Sequence, residues 1–523
     1  MDSSENDIEK HHIGHRDSLH DHEIIGHNEA TKEQAMHHGH LSEQELIDEK
    51  KLRRKIDGTI MPMVVLVYLM NYIDRNNYPA AKLSGLQDDL GLDDKQFQTG
   101  LSILFVGYVL MQVPSNMFLN YCGRPSYYLG FWTIAWGLVS LLTSQVTSFG
   151  GIIACRFILG FVEAPFFAGV LFYLSKWYTK SELNLRMSIF YSGSLLAGAF
   201  GNLIAGGILS GLDNAMGMRA WKWLYILEGS ITIAVGILVV VVLPDFPDTW
   251  KKLSPELKRV ANRRMAIDGA EADVDTGGNM SYLQGAKLAF ADPKTYLLAI
   301  MYHAIVGATG FQNFFPTLTD TLGYDHVISL LLVAPPYIFI MVYALGHSIA
   351  SDKIGNRFWF FIYPLIVCTI GCLVFMFVPQ GNFGGRYFSL FLLNFAFASF
   401  GTIYAWISNA IPRPPAKRTV ALAFMNSIGN MASIWTPYTY IDGSEPYYRP
   451  ALGVVIGLLV VSATGACILR FLLIKMNREL ERLENEDVEL DEKELAKLRK
   501  TAEFEQIDMA TARQLQKGYR YII

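Results

Sequence analysis

What most constrains this chain is a succession of apolar stretches, each long enough to cross a bilayer. A helix needs about 20 largely apolar residues to span the hydrocarbon core. Twelve stretches qualify, at 58–78, 99–119, 126–146, 150–173, 186–211, 222–243, 294–315, 327–349, 358–378, 386–408, 418–440 and 450–474. Numbered 1 to 12, six precede the polar segment 244–293 and six follow it. In lipid every backbone polar group must find its partner within the protein, which long apolar segments achieve as helices. A division into six and six around a charged link is the pattern of a duplicated transporter. The expectation is an all-α membrane protein with twelve transmembrane helices in two six-helix bundles.

The division predicts a disordered, His-rich cytoplasmic tail over 1–57, a first bundle over 58–243 and a cytoplasmic central loop over 244–293. A second bundle over 294–474 and a cytoplasmic tail over 475–523 follow. Lys and Arg placement gives the orientation. Lys50, Lys51, Arg53, Arg54 and Lys55 precede stretch 1, and Arg124, Lys176, Lys180, Lys353 and Lys417 fall in even-numbered links. Both termini are then expected inside. The sequon Asn279-Met280-Ser281 falls in the central loop and should stay unglycosylated.

Nine of the twelve histidines lie in the first 40 residues. Such tracts bind Zn²⁺ or Ni²⁺ loosely, but no ligand spacing repeats, so the segment reads as a biased polar tail. Cys368 and Cys372 share a helix face and read as small packing hydrophobes. With five cysteines, most inside apolar runs, no disulfide framework is expected. A net charge of −4 offers no basic field for nucleic acid. No Ser-His-Asp set, phosphate loop or intramembrane metal cluster is visible, so neither an enzyme nor a cofactor or metal site is expected. Segment 253–266 reads as an amphipathic helix with Ser254 as N-cap, Pro255 first in the helix, and Leu257, Val260 and Ala261 as its apolar stripe.

Four charges sit inside the stretches: Asp74 and Arg75 in stretch 1, Arg156 and Glu163 in stretch 4. A charge at the bilayer centre costs roughly 3 to more than 10 kcal/mol, so such residues usually face a polar path and handle ions or charged substrate. Arg75 is the first choice for gripping an organic anion, because its fork matches a carboxylate and it stays charged. Asp74 and Glu163 are candidate proton carriers, since burial and a nearby Arg push a carboxylate in opposite directions. Arg156 and Glu163 lie seven residues apart on one face, roughly 10.5 Å along the axis. Arg156 is expected to tune Glu163 or back the substrate site. Glu228 reads as an acid with a structural partner, and His303 and His347 as packing residues. Tyr72, Tyr108, Tyr191, Gln312, Asn313, Asn394, Asn426 and Asn430 are the expected shape-setting groups. Asn426 and Asn430 share a face at i, i+4. Helix 5 glycines Gly193, Gly198, Gly201, Gly206 and Gly207 read as a close-packing stripe.

Several segments carry a family resemblance. YIDRNNYPAAKLSGL in stretch 1, VPSNMFLNYCGRPSYYL in link 2–3 and RFILGFVEAPFFAGVLFYLSKWY in stretch 4 lead the set. WKWLYILEG opens stretch 6, LPDFPDTWKKLSPE leads into the central loop, FFPTLTDTLGYDHVISLLLVAPPY joins 7 to 8, and SDKIGNR forms link 8–9. Together, in order, they resemble the major facilitator superfamily, and within it the fungal allantoate permease branch of the anion:cation symporters. That branch includes carriers of nicotinate, pantothenate, biotin, allantoate and small peptides. The resemblance spans about residues 50–475. It implies that the helix 1 acid and helix 4 Glu couple protons while the helix 1 Arg holds substrate. It also implies gating roles for Asp352, Lys353 and Arg357, with Arg124 in the other copy. There the chain departs, because Asn120-Tyr121-Cys122-Gly123-Arg124 has no carboxylate.

The sequence therefore predicts proton-coupled uptake of a small organic anion across the plasma membrane by alternating access, by a protein that functions as a monomer. A facilitator or exporter of the same class, or a nutrient sensor with the transporter fold, are the alternatives.

Overall fold

The computed structural model describes residues 43–484, apart from 123, 248, 277–281, 412–414 and 442, together with Arg499 and Tyr521. The His-rich tract and the sequon lie outside the described residues. Every one of the twelve apolar stretches is helical. Helices 1 to 6 are Glu43–Leu83, Asp94–Cys122, Pro125–Thr143, Phe149–Ser175, Lys180–Leu212 and Ala220–Val242. Helix 7 is broken into Pro293–Ala308, a 3₁₀ turn Thr309–Phe314 and Phe315–Asp320. Helix 8 joins His326–Leu331 to Ala334–Ile354, and helix 9 is Arg357–Phe377. Helix 10 runs Phe383–Leu393, a 3₁₀ turn Asn394–Phe397, and Ala398–Ala410; helices 11 and 12 are Pro415–Trp435 and Arg449–Glu484.

Among the described residues, eight helices are long and apolar enough on their own to cross a membrane: 1, 4, 5, 6, 8, 9, 10 and 12. Helix 7 is interrupted, and helices 3 and 11 are diluted by amide, hydroxyl, tyrosine and tryptophan side chains. Helices 2, 7 and 11 lie between the halves. Helix 2 packs on helix 11, helix 5 on helix 8, and helix 1 on the end of helix 7.

Within the first half, glycine permits backbone to touch backbone. A Cβ on Gly160 would sit 1.8 Å from the Leu104 carbonyl oxygen, and one on Gly107 would sit 2.3 Å from that of Phe157. Helices 2 and 4 are thereby in contact at their main chains. Helices 3 and 6 do the same, with a Cβ on Gly229 falling 2.7 Å from Leu141 N. The helix 5 stripe is only partly tight. Gly198 meets the Tyr337 ring of helix 8 at 2.8 Å and Gly206 touches Leu330 at 3.5 Å, whereas Gly207 faces open space. The closest approaches are thus within a half, and the helix 5 glycines are divided, Gly198 and Gly206 meeting helix 8 across the halves while Gly193 and Gly201 meet helix 1 of the same half.

The face carrying the terminal segments is built from charge. Helix 1 begins at Glu43, so residues 43–57, assigned from sequence to the disordered tail, continue the helix. The central-loop helix Pro255–Thr276 lies along this extension, with Val260 and Ala261 buried. Leu257 N donates to Ser254 Oγ at 3.4 Å, the expected cap. Arg263 pairs with Glu45 at 2.7 Å, Arg264 with Glu182 at 3.3 Å, and Arg186 with Asp57 at 2.7 Å. On the opposite face the halves are closed by Gln98 of helix 2 donating to the Tyr440 carbonyl and by Tyr438 Oη donating to Thr99 Oγ1 at 3.0 Å.

Gly160→Ala should lower the stability of the purified protein by about 1–3 kcal/mol, the usual cost of overpacking, because its Cβ meets backbone. Gly207→Ala should leave it unchanged. Thermal unfolding in detergent, read beside monodispersity on a sizing column, checks the pair.

Candidate functional site

The four intramembrane charges sort onto two faces of helix 1. Arg75 reaches across to helix 4, where its Nε donates to Glu163 Oε2 at 2.6 Å. The Glu163 side chain is fully enclosed, while Arg75 keeps 16 % of its side-chain surface open. The pair has a front and a back, and the cation is in front. Tyr108 of helix 2 and Tyr72 of helix 1 flank the guanidinium, their ring centroids 4.8 and 5.4 Å from its carbon. Asn71, one turn below Arg75, is buried beside Glu163.

Asp74 points away from this pair into the packed interior, as adjacent positions on a helix must. Ser140 of helix 3 donates to its Oδ1 at 2.9 Å and Thr232 of helix 6 to its Oδ2 at 3.2 Å. Asp74 has no exposed surface, and it remains within electrostatic reach of Glu163.

Arg156 is 2 % exposed and does not pair with Glu163. Its Nε donates to the Gly100 carbonyl of helix 2 at 3.1 Å, and its guanidinium lies 4.7 Å from the Tyr78 ring centroid. Two turns along helix 4 separate it from the Arg75 contact, so it acts on Glu163 only through space. Glu228, read from sequence as an acid with a structural partner, is buried with neither oxygen in a sound hydrogen bond.

From the second half, tyrosines converge on the same centre. Tyr191 of helix 5 stacks on Tyr404 of helix 10 with centroids 6.0 Å apart, and Tyr404 Oη lies 2.8 Å from Tyr302 Oη of helix 7. Tyr72 and Tyr108 are within electrostatic reach of Tyr191 and Tyr302. Six helices from both halves, 1, 2, 4, 5, 7 and 10, therefore contribute to the centre that Arg75 faces. Sequence reasoning missed Tyr302 and Tyr404. Among 26 tyrosines no local signal marks them, because only the approach of the halves does.

The remaining predicted groups are placed as follows. Asn430 Nδ2 donates to Asn426 O at 3.0 Å and lies 3.2 Å from Asn426 Oδ1, so this pair is joined. The neighbouring Ser427 Oγ is 3.4 Å from Gln112 Oε1 of helix 2, which sets the pair at the interface between the halves. Gln312 and Asn313 are half-buried in the helix 7 break. Asn394 is fully buried, its Nδ2 bound to the Leu390 carbonyl at 3.1 Å. Arg357 is buried and donates to Ser351 Oγ at 2.9 Å, and Lys353 is exposed. The Asp352 side chain lies outside the described residues. Arg124 is exposed over the Tyr127 ring. Beside it, Asp245 after helix 6 accepts from Ser126 N at 3.0 Å and Ser126 Oγ at 2.5 Å at the start of helix 3. His303 binds the Ile428 carbonyl through Nδ1 at 2.7 Å and accepts from Trp435 Nε1 at 3.3 Å. His347 is held by Tyr363 and Thr402 at 2.5 and 3.1 Å.

Twelve helical stretches in two halves, with a charged centre between them, have counterparts among known proteins. Residues 64–437 match the model of the Major Facilitator Superfamily. The chain belongs to that superfamily. The MFS-type transporter cnsO of Penicillium expansum is 32% identical over 455 residues, covering 84% of this chain and 86% of that protein. The Major facilitator-type transporter hxnP of Emericella nidulans is 29% identical, covering 80% and 84%. Among solved structures, a bacterial homologue of the human lysosomal transporter Spinster, inward-facing and unoccupied, aligns with a TM-score of 0.61 at 14% identity, covering 79% of this chain and 97% of that one. The inward-open xylose transporter XylE of E. coli gives 0.59 at 12%, covering 77% and 94%. The protein is a membrane transporter of the major facilitator type.

Removing one partner of a buried ion pair typically costs about 3–5 kcal/mol, because the other charge is stranded. Glu163→Gln should therefore destabilise the ligand-free protein by that order, and Glu163→Gln with Arg75→Gln should be less destabilised than the sum of the two single changes. A double-mutant cycle by thermal or denaturant unfolding checks the coupling.

Proposed function

We propose that this chain carries a small organic anion, a monocarboxylate of the size of a vitamin, nicotinate, allantoate or a sugar acid, inward together with protons. The observation that carries this reading is the Arg75–Glu163 pair, with the cation facing the centre and the acid enclosed behind it. In the ligand-free state Glu163 is the counter-ion of Arg75. A proton taken up by Glu163 removes that counter-ion, and a substrate carboxylate then takes its place on the guanidinium fork. When the halves rock and the anion leaves on the other side, Glu163 gives up its proton and pairs with Arg75 again. The empty carrier is thus reset without leaving a bare charge in the membrane. Asp74 supplies a second protonatable position on the back of the same helix, held by hydroxyls that serve either protonation state.

The motif resemblance supports placing the chain in the allantoate permease branch of the anion:cation symporters. The Lys and Arg distribution supports both termini in the cytoplasm, and with an N-terminal half over 58–243 and a C-terminal half over 294–474 the carrier works as a monomer in the plasma membrane. Tyr72, Tyr108 and Tyr191, with Tyr302 and Tyr404, shape the substrate site, and Gln312, Asn313, Asn394, Asn426 and Asn430 provide amides for the far end of the anion. Arg156 supports the site electrostatically. Asp352, Lys353, Arg357 and Arg124 hold one conformation closed.

Uptake of a transported carboxylate, found by screening nicotinate, pantothenate, allantoate and gluconate in proteoliposomes, should rise as the outer pH falls. Glu163→Gln and Asp74→Asn should each abolish accumulation while sparing exchange; accumulation against a gradient in both would refute the coupling. Arg75→Lys should raise KM by about ten-fold or more, since a charge-assisted hydrogen bond is worth about 1.5–3 kcal/mol. Tyr108→Phe should change KM little and Tyr108→Leu raise it several-fold, the scale of a lost cation–π contact of about 1 kcal/mol.

A further inference from the structure

The first half buries three acids, Asp74, Glu163 and Glu228, with one buried guanidinium, Arg156, and one half-buried, Arg75, in a single packed region. The charges do not balance unless one acid holds a proton. Glu163 is committed to Arg75, and Asp74 accepts from two hydroxyls. Glu228 has neither. It lies on helix 6, one turn from Thr232, and is 2 % exposed. Both of its carboxyl oxygens are enclosed without a sound hydrogen bond. An ionised carboxylate without a partner is the costliest group to bury.

The groups that face Glu228 come from the elements packed on helix 6. From helix 1 they are Asp74 and the Asn77 amide, which is close but not in hydrogen-bond geometry. Tyr225, on helix 6 itself, is within electrostatic reach of both Glu228 and Arg156 of helix 4. From helix 3, Ser140 is already turned to Asp74. The glycine contact of helices 3 and 6 lies directly beside this point, at Gly229 and Gly137, so no larger side chain fills it. Glu228 and Asp74 are therefore two buried carboxyls within electrostatic reach of each other, on different helices, and among the described residues no ion pair is made by either.

We propose that Glu228 is a proton-binding site of the transport cycle, sharing protons with Asp74: when Asp74 is ionised Glu228 is the neutral acid, and the proton passes between them. This rests on the proton-coupled reading above and extends it, because Glu228 gives the carrier a proton store apart from the Arg75–Glu163 exchange. Two buried carboxyls that interact strongly titrate as a pair rather than singly. In the transfer Glu228 loses H⁺ as Asp74 gains it, with no change in total charge.

The test uses the full chain in lipid nanodiscs with protons as the only ligand. Infrared difference spectra between acid and alkaline buffer report the carbonyl stretch of protonated carboxyl groups. The wild type should show such a band that Glu228→Gln removes, Glu228→Asp retains at a shifted position, and Asp74→Asn displaces along the pH axis. Absence of a band sensitive to Glu228→Gln overturns the proposal. So does a Glu228-sensitive band whose position on the pH axis ignores Asp74→Asn, which marks an acid that titrates alone. Because no substrate is present, these outcomes are independent of whether carboxylate uptake is pH-driven, so failure of the transport reading and failure of this one are told apart.

Discussion

The buried pair between Arg75 and Glu163 is the interaction on which the rest of the first half depends. Each charge alone would be intolerable at its depth, and together they are tolerable only in contact. Helices 1 and 4 must therefore keep the rotation and height that allow a 2.6 Å bond. Helix 4 is held in place by its main-chain contact with helix 2. The glycine that permits it, Gly160, lies one turn before Glu163. The R-x-x-L-G-x-x-E pattern is thus a packing device as much as a charge pattern: its glycine sets the depth of the helix and its acid exploits that depth.

The pair also divides the first half into a wet side and a dry side. Arg75, with Tyr72 and Tyr108 about it, faces the centre where Tyr191, Tyr302 and Tyr404 arrive from other helices. Asp74 and Glu228 face the dry side among helices 1, 3 and 6. Adjacent residues on one helix turn serve opposite faces, so Arg75 and Asp74 look to different neighbours. Helix 1 touches helix 7 on one side and helix 6 on the other.

Much of the fold was legible along the chain because burial in lipid leaves a one-dimensional trace. Each apolar stretch is a helix, and the interruptions at helices 7 and 10 follow glycine, proline and amide residues. The misreadings have a common cause. The polar residues 43–57 extend helix 1 because Glu45, Glu49 and Asp57 find arginines on the central-loop helix and helix 5. The tightest glycines are scattered over helices 2, 3, 4, 6, 11 and 12, and are not those of helix 5, where glycines are conspicuous. In both cases the deciding neighbour is remote in sequence.

The sequence by itself determined the number and order of the helices, the charges that cannot be casual, and the six-and-six division. These follow from hydropathy and from the cost of a charge in hydrocarbon, which are properties of single residues and short windows. Only the tertiary structure decided that Glu163 rather than Asp74 answers Arg75, that Arg156 turns to the Gly100 carbonyl, that Glu228 stands without a bond, and that Tyr302 and Tyr404 join the centre. Those outcomes depend on the rotation of each helix about its own axis and on which backbones can touch, and neither is fixed until twelve helices pack at once.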